Sequence, residues 1–466
     1  MTQSVFIQVG QCGNQIGHRF WDLALTEHEI ADKECLRDSS FSSFFINGPN
    51  NKNGILPKIS GLKARALLVD MEEGVVNEIL KGPLKNIYDS SYLITDVSGS
   101  GNNWAVGNLY YGRVHQNALC EALRKSAELC DFLQCFFVLH SMGGGTGSGV
   151  GTHILKILAD EYPDVYKMDI AVFPSTDDDV VTSPYNTVLA LDQITEFADC
   201  VLPIDNIALS NIIDKAKKFH CNSKGSVNDR TGSAICSKHI KPAKPFDDMN
   251  NIVANMLLNL TSSSRFEGTM NVDLNEISMN LVPFPRLHYL IASQSPLSTI
   301  SGMSAPRKLD QIFSDTFTRD YQLMSTDPCR HVYLAAALLV RGAISASDLR
   351  RNIDKLQSRL NFVPWNREGW KVGHCLVPPV DHKYCLLALA NNTSIHESFS
   401  FILERFYKLY RKKAHLHHYT TVDGFDTSMF ESSANSLQEL IIQYTDFEKQ
   451  SNAQALPNLP QLEIMD

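Results

Sequence analysis

Short apolar runs that stop abruptly at glycine or a polar residue recur through the amino-terminal half of the chain. They are Val5 to Val9, Ala66 to Val69, Phe136 to Leu139, Ile170 to Phe173 and Val201 to Ile204. Each has the length and composition of a buried strand. Between them lie stretches with helical spacing, such as Ile16, Phe20 and Leu23, or Val150, Ile154, Ile157 and Leu158. The alternation predicts a parallel α/β sheet. In such sheets ligands bind beyond the carboxyl ends of the strands, near the switch point, so the residues just after each strand are the candidates for chemistry. From about Phe246 to Leu389 a mixed pattern, punctuated by Val282-Pro283-Phe284-Pro285, predicts a smaller α/β domain. The longest apolar run, Tyr333 to Val340, reads as a core helix segment. Phe399, Ile402, Leu403, Phe406, Leu409 and Tyr410 follow helical spacing, as do residues from Leu437 to Tyr444, so the carboxyl end is expected to be helical.

At 466 residues the chain has room for roughly three domains of ordinary size. Its 44% hydrophobic and 20% charged residues suit a soluble globular protein. No apolar run approaches the ~20 residues of a membrane helix, so no membrane partner is expected. Met1-Thr2-Gln3-Ser4 lacks a cationic start, which predicts no secretory signal and a cytosolic location. Eleven cysteines without a C-x-x-C pair point to reduced thiols rather than to disulfides or a zinc site. A net charge of -9 gives generic nucleic-acid binding no support. Locally, Lys215 to Lys244 holds eight Lys/Arg against the single acid Asp229, and reads as a surface insertion or disordered loop.

The strongest chemical signal is Gly143-Gly144-Gly145-Thr146-Gly147-Ser148-Gly149, set between the strand ending at Leu139 and the helix near Val150. Backbone without Cβ atoms can approach a phosphate closely, and the helix N-terminus adds a positive field. The alternative is a flexible glycine linker, which the order strand, loop and helix disfavours. No Lys-Ser/Thr follows as in a P-loop, and the glycines miss the G-x-G-x-x-G register, which weakens a dehydrogenase reading. A second loop, Gly10-Gln11-Cys12-Gly13-Asn14-Gln15, opens the helix after the first strand and offers amide side chains. The strand ending at Val69 delivers Asp70 and Glu72, which suit either a partly hydrated Mg²⁺ or a helix N-terminus. Gly99-Ser100-Gly101-Asn102-Asn103-Trp104 is a further tight turn, and Asn206 follows the strand ending at Ile204 as either a base reader or a helix cap.

Taken together and in order, GQCGNQIG, GSGNNWAVG and GGGTGSG resemble the successive nucleotide loops of the tubulin superfamily. Asn271 to Glu276 with Asn280 to Arg286 resembles the loop and following strand that tubulins present to the next subunit, and Arg411 to Tyr419 resembles their carboxyl-terminal helix region. The resemblance implies a Rossmann-like GTPase domain over 1–206. It implies a mixed α/β intermediate domain over 207–392, with a linking helix and the basic insertion at about 215–244, and a helical domain over 393–466. It implies GTP or GDP with Mg²⁺ as ligands. Gly10, Gln11, Cys12, Gln15, Asn102 and Gly143 to Gly149 (Gly143, Gly144, Gly145, Thr146, Gly147, Ser148, Gly149) would hold phosphates and ribose, and Asp70 and Glu72 would lie near magnesium, held partly through water. Asn206 and Asn250 would read guanine, and Phe246 stands where tubulins usually stack a tyrosine on the base. Glu276 matches an acidic residue that alpha-type subunits direct at a neighbour's nucleotide, implying at most a weak GTPase completed by end-to-end contact.

The chain also departs from alpha and beta tubulins. Ser183 replaces a glutamate used near the ribose, although Asp177, Asp178 and Asp179 lie just upstream. Pro296 to Leu309 is shorter than the lateral loop of microtubules, and Lys449 to Asp466 holds only two acids, Glu463 and Asp466, in place of a glutamate-rich tail. The start, the run Asp70 to Glu78, the basic insertion and the missing tail resemble the epsilon branch. That branch implies centrioles and basal bodies, with delta-tubulin, other tubulins and centriolar proteins as partners. The competing function is a nucleotide-regulated scaffold or free-standing GTPase that does not polymerise.

Overall fold

The computed structural model describes residues 2–33, 39–47, 62–175, 178–223, 246–266, 268–297, 308–380 and 382–453. Strand β1 (Gln3–Val9) runs directly into the long helix α1 (Gly10–Lys33). A two-stranded ribbon of β2 (Phe45–Asn47) and β3 (Leu62–Ala64) precedes β4 (Ala66–Asp70), α2 (Glu73–Lys81) and β5 (Leu93–Thr95). Then follow α3 (Gly112–Glu128), β6 (Leu133–Ser141), α4 (Gly151–Glu161), β7 (Tyr166–Phe173), α5 (Ser183–Phe197), β8 (Cys200–Asp205) and α6 (Asn206–Ser223). The six strands of the first sheet lie in the order β5-β4-β1-β6-β7-β8 with every pairing parallel. The chain leaves β1 toward one edge and returns through β6 toward the other, so the switch point lies between these two strands.

Both faces of this sheet are covered, which is why its strands read as unbroken apolar runs rather than as alternating ones. All seven residues of β1 are buried. Val5, Ile7 and Val9 enter one core, and Phe6 enters the other, where it stacks on Phe20 and Phe137 at 4.6 and 4.7 Å between ring centres. Such contacts add to burial energies of about 2–3 kcal/mol per large apolar side chain.

Helix α7 (Asp247–Leu260) leads into a second unit: β9 (Gly268–Met270), α8 (Leu274–Leu281), β10 (Leu290–Ser295), α9 (Leu309–Thr316), β11 (Tyr333–Arg341), α10 (Ala346–Gln357), β12 (Trp370–Cys375) and β13 (Cys385–Asn392). These strands form a mixed sheet in the order β10-β13-β11-β12-β9. Two long helices, α11 (Ile395–Tyr410) and α12 (Ser428–Ala453), cover the first core through Phe399, Phe406 and Tyr444. Among the described residues no helix is long and apolar enough to cross a membrane.

The structure corrects several local expectations. Tyr333 to Val340 is not a helix but the central strand of the second sheet, bonded in parallel to β12 and antiparallel to β13 and buried at every position. A short, wholly apolar run has no periodicity with which to separate a buried helix from a buried strand. No strand occupies Asn280 to Arg286. Residues from Leu274 form α8, and Pro283 and Pro285, which lack the N–H a ladder needs, delay the next strand to Leu290. Arg411 to Leu416 turns irregularly between α11 and a short helix at His417–Thr420. The basic stretch begins inside α6, where Lys215 pairs with Asp320, so its first residues are helical and the remainder, 224–244, lies outside the described residues. Asp177, most of the shortened loop (298–307) and the end of the chain from 454 also lie outside them.

Candidate functional site

A cavity of about 400 Å³ opens beyond the carboxyl ends of β1 and β6, at the switch point. The turn from β1 into α1 brings Gly10, Gln11, Cys12 and Gln15 to it. Gly10 makes that turn at φ 70°, a left-handed conformation that a side chain would strain. Burial pushes the Cys12 thiol up to about 12, so it sits there as a neutral SH.

From β6 come Ser141 and Gly143, Gly144, Gly145, Thr146 and Gly147. Thr146 begins a wide helical turn (Thr146–Val150), a geometry concentrated at functional sites. A Cβ on Gly145 would fall 2.5 Å from Asn103 N and 2.6 Å from Ser100 Oγ, so glycine there seats the Gly99–Asn103 turn against the loop. The Thr146 hydroxyl bonds Ser100 Oγ at 2.9 Å. Ser148 and Gly149 do not reach the cavity. The Ser148 hydroxyl donates back to the Gly144 carbonyl in the manner of a helical serine, and Gly149 packs against Trp104 O. Asn102, held at φ 53°, reaches the cavity with Ser100 and Gly101.

Asp70 and Glu72, after β4, form the acidic wall. Asp70 Oδ1 accepts from Glu72 N at 3.3 Å, while the Glu72 carboxylate lies against Gly99. Burial, with the Glu72 charge adding to it, raises Asp70 to about 6. A carboxylate whose ionisation is opposed by its surroundings gains from a cation, so the pair fits a hydrated divalent metal. At the opposite wall stand Asn206 at the start of α6, Asn250 on α7, and Phe246 in front of α7. Phe246 holds φ 71°, a strained conformation costing about 1–3 kcal/mol, and the residue is 53% exposed. Asp178 also lines the cavity, whereas Ser183 is buried beneath Gly143.

Asn186 organises these loops without lining the cavity. Its Nδ2 donates to Asn102 O at 2.8 Å and Gly143 O at 2.9 Å, and its Oδ1 accepts from Trp104 N at 2.9 Å and Tyr419 OH at 2.6 Å. One buried amide thus ties both turns to the segment between α11 and α12. Nothing in local sequence marks it, because its partners lie far along the chain. Asn186→Leu leaves these groups unpaired and should destabilise the fold by about 2–4 kcal/mol while loosening ligand at the cavity. Thermal melting and ligand release measure both, and unchanged values would remove Asn186 from this role.

Glu276 is absent from the cavity. It lies on α8, whose Ser278 hydrogen-bonds the Cys200 thiol at the beginning of β8, while Asn206 follows the end of that strand. Six residues of strand, about 20 Å, separate the two ends of β8. The half-exposed Glu276 carboxylate pairs with Lys371 on β12 at 2.6 Å.

Residues 3–214 match the GTPase domain of the Tubulin/FtsZ family, and residues 285–404 match the tubulin C-terminal domain. The full chain is 55% identical to the Tubulin epsilon chain of Mus musculus and 54% identical to that of Homo sapiens, each alignment covering 100% of both chains. It is 32% identical to the Tubulin beta-3 chain of Echinococcus multilocularis over 96% of each. A parallel sheet with its cavity at the switch point, joined to full-length identity at this level, means that the chain belongs to the tubulin family of GTP-binding cytoskeletal proteins.

Proposed function

We propose that this protein acts at centrioles and basal bodies as an epsilon-type tubulin subunit, binding GTP with Mg²⁺ in the switch-point cavity and joining other tubulins, delta-tubulin among them, end to end. The observation that carries the nucleotide reading is the convergence of two glycine turns, an acidic pair and two asparagines on one cavity. In this reading the backbone of Gly10, Gln11, Cys12 and Gly143 to Gly147 grips the phosphates, with Gln15 and Asn102 as side-chain partners. Guanine presents adjacent donors and an acceptor, and the amides of Asn206 and Asn250 offer the complementary groups. Phe246 covers the face of the base. Asp70 and Glu72 hold the hydrated magnesium, which supplies positive charge against the phosphates.

Protein purified from cells should carry GTP or GDP together with other tubulins and centriolar proteins, identified by mass spectrometry. Folded protein without guanine affinity in the presence of magnesium would sink the nucleotide assignment. Phe246→Ala should weaken nucleotide binding by about 1–3 kcal/mol, as loss of a stacked aromatic does elsewhere. An unchanged dissociation constant would place the ring off the base. The basic stretch from Lys215 to Lys244 is proposed to be exposed and to dock on an acidic partner surface, since its eight positive charges are costly to bury. Its deletion should spare nucleotide binding and reduce centriolar recruitment, and loss of folding instead would make it structural. A non-polymerising scaffold is the second reading, favoured by the short sequence between Pro296 and Leu309. Sedimentation of nucleotide-loaded protein with other tubulins separates the two.

A further inference from the structure

Away from the cavity, three segments meet where the turn entering β11, the first turn of α11 and the last part of α12 come together. They bring His331, His396 and Glu448 into one cluster whose potential ligand atoms all lie within 4.8 Å of one another. His331 Nδ1 is 3.2 Å from Glu448 Oε1, and His396 Nε2 is 3.2 Å from Glu448 Oε2. The two rings meet nearly edge to face, 5.5 Å between centres. On its other side His331 Nε2 lies 3.3 Å from Glu397 Oε1.

We propose that His331, His396 and Glu448 form a site for a divalent transition metal of the zinc class, independent of the nucleotide cavity. Three features carry this. Metal–ligand bonds of 2.0–2.2 Å in a tetrahedron place neighbouring donors about 3.3–3.6 Å apart, close to both nitrogen–oxygen separations seen here. Two imidazoles and a carboxylate are the donor set that borderline cations such as Zn²⁺ select over Mg²⁺ or Ca²⁺. Finally, Glu397 is placed to accept a hydrogen bond from His331 Nε2, which leaves the Nδ1 lone pair toward the Glu448 carboxylate, and the buried Nδ1, although 3.2 Å from Glu448 Oε1, makes no hydrogen bond of acceptable geometry to it. Two electron-rich acceptors turned toward one another call for a cation between them, and a carboxylate behind a ligating histidine is the common support of such sites. Three protein donors leave a fourth position for water. The bound metal would clasp the end of α12 to the start of α11 and to the strand beneath. Glu397 is a positioning residue here rather than a ligand.

The test uses the full chain with its nucleotide and Mg²⁺ retained, titrated with Co²⁺ and then with Zn²⁺. The expected result is one equivalent of Co²⁺ with the visible ligand-field bands of a tetrahedral nitrogen–oxygen site, without a thiolate charge-transfer band, displaced by Zn²⁺. His331→Asn and His396→Asn should each abolish those bands while nucleotide content and circular dichroism stay unchanged. Should the more buried His331 variant fail to fold, the His396 variant at the helix start carries the test. Glu397→Gln should keep the spectrum and weaken affinity about 10–100-fold. The site is overturned if neither Co²⁺ nor Zn²⁺ is taken up, if uptake shows thiolate charge transfer, or if the folded histidine variants retain the wild-type bands. In each of those cases the cluster is an ion-paired contact between helices.

Discussion

Glu276→Ala should leave the protein's own GTP affinity unchanged and slow hydrolysis in the subunit docked on the α8 face by 10²–10⁴-fold, roughly 3–5 kcal/mol in barrier height. The expectation follows from position. Glu276 stands on a helix that touches the beginning of β8, whereas the nucleotide cavity lies beyond the carboxyl ends of the sheet strands. A carboxylate so placed lies away from the cavity of its own chain, and in an end-to-end stack it is expected to face a neighbour's. In the free subunit Lys371 holds the carboxylate, so docking must draw it away before it can orient water. The measurement is single-turnover phosphate release from a mixed assembly built with wild-type or variant chain. Equal release in both would reduce Glu276 to an interface contact, and lost GTP binding by the variant itself would mean that α8 sits at the wrong end.

The second large effect belongs to Glu27, whose carboxylate is buried between the guanidiniums of Arg265 and Arg341. These residues come from α1, the turn after α7, and β11, so the triad stitches the first unit to the second sheet. Arg265 also lies over the rings of Phe44 and Phe266. Removing the carboxylate leaves two positive charges in a site that water does not reach, and Glu27→Ala should cost about 3–5 kcal/mol in a denaturant melt. Burial alone would raise the Glu27 carboxyl, but the two guanidiniums outweigh it and hold the group below its ordinary 4.5. A lowered carboxyl contributes stability that is complete above the unfolded-state value and is lost as pH falls through the folded one. Wild-type protein should therefore lose this stability only in acid, while the alanine variant lacks it at neutral pH. A melt that shifts by less than about 1 kcal/mol would show that the charges find water on mutation.

Much of the first sheet was legible in the sequence because its strands are buried on both faces, which leaves unbroken apolar runs ending where the chain meets the cavity. The glycine loops were legible for a related reason. Close approach of backbone to backbone excludes a Cβ, and the constraint is written locally, as at Gly10 and Gly145. The short strand β5, Leu93–Thr95, carried no such signal, because three residues are too few to show a period.

What local pattern could not supply was every arrangement set by distant segments. Tyr333 to Val340 has the composition of a helix core, and only its pairing with β12 and β13 makes it a strand. Ser148 reads as a phosphate donor until the helical turn directs its hydroxyl back to Gly144. Asn186, the Glu27 triad and the meeting of His331, His396 and Glu448 leave no spacing motif, since their partners come from elements far apart in the chain. By itself the sequence determined the parallel sheet, the glycine turns at its carboxyl edge and the family. The tertiary structure alone decided which buried polar groups meet and at which end of the sheet Glu276 stands, because hydrogen bonds and ion pairs in a low-dielectric interior depend on three-dimensional closure, which no local periodicity encodes.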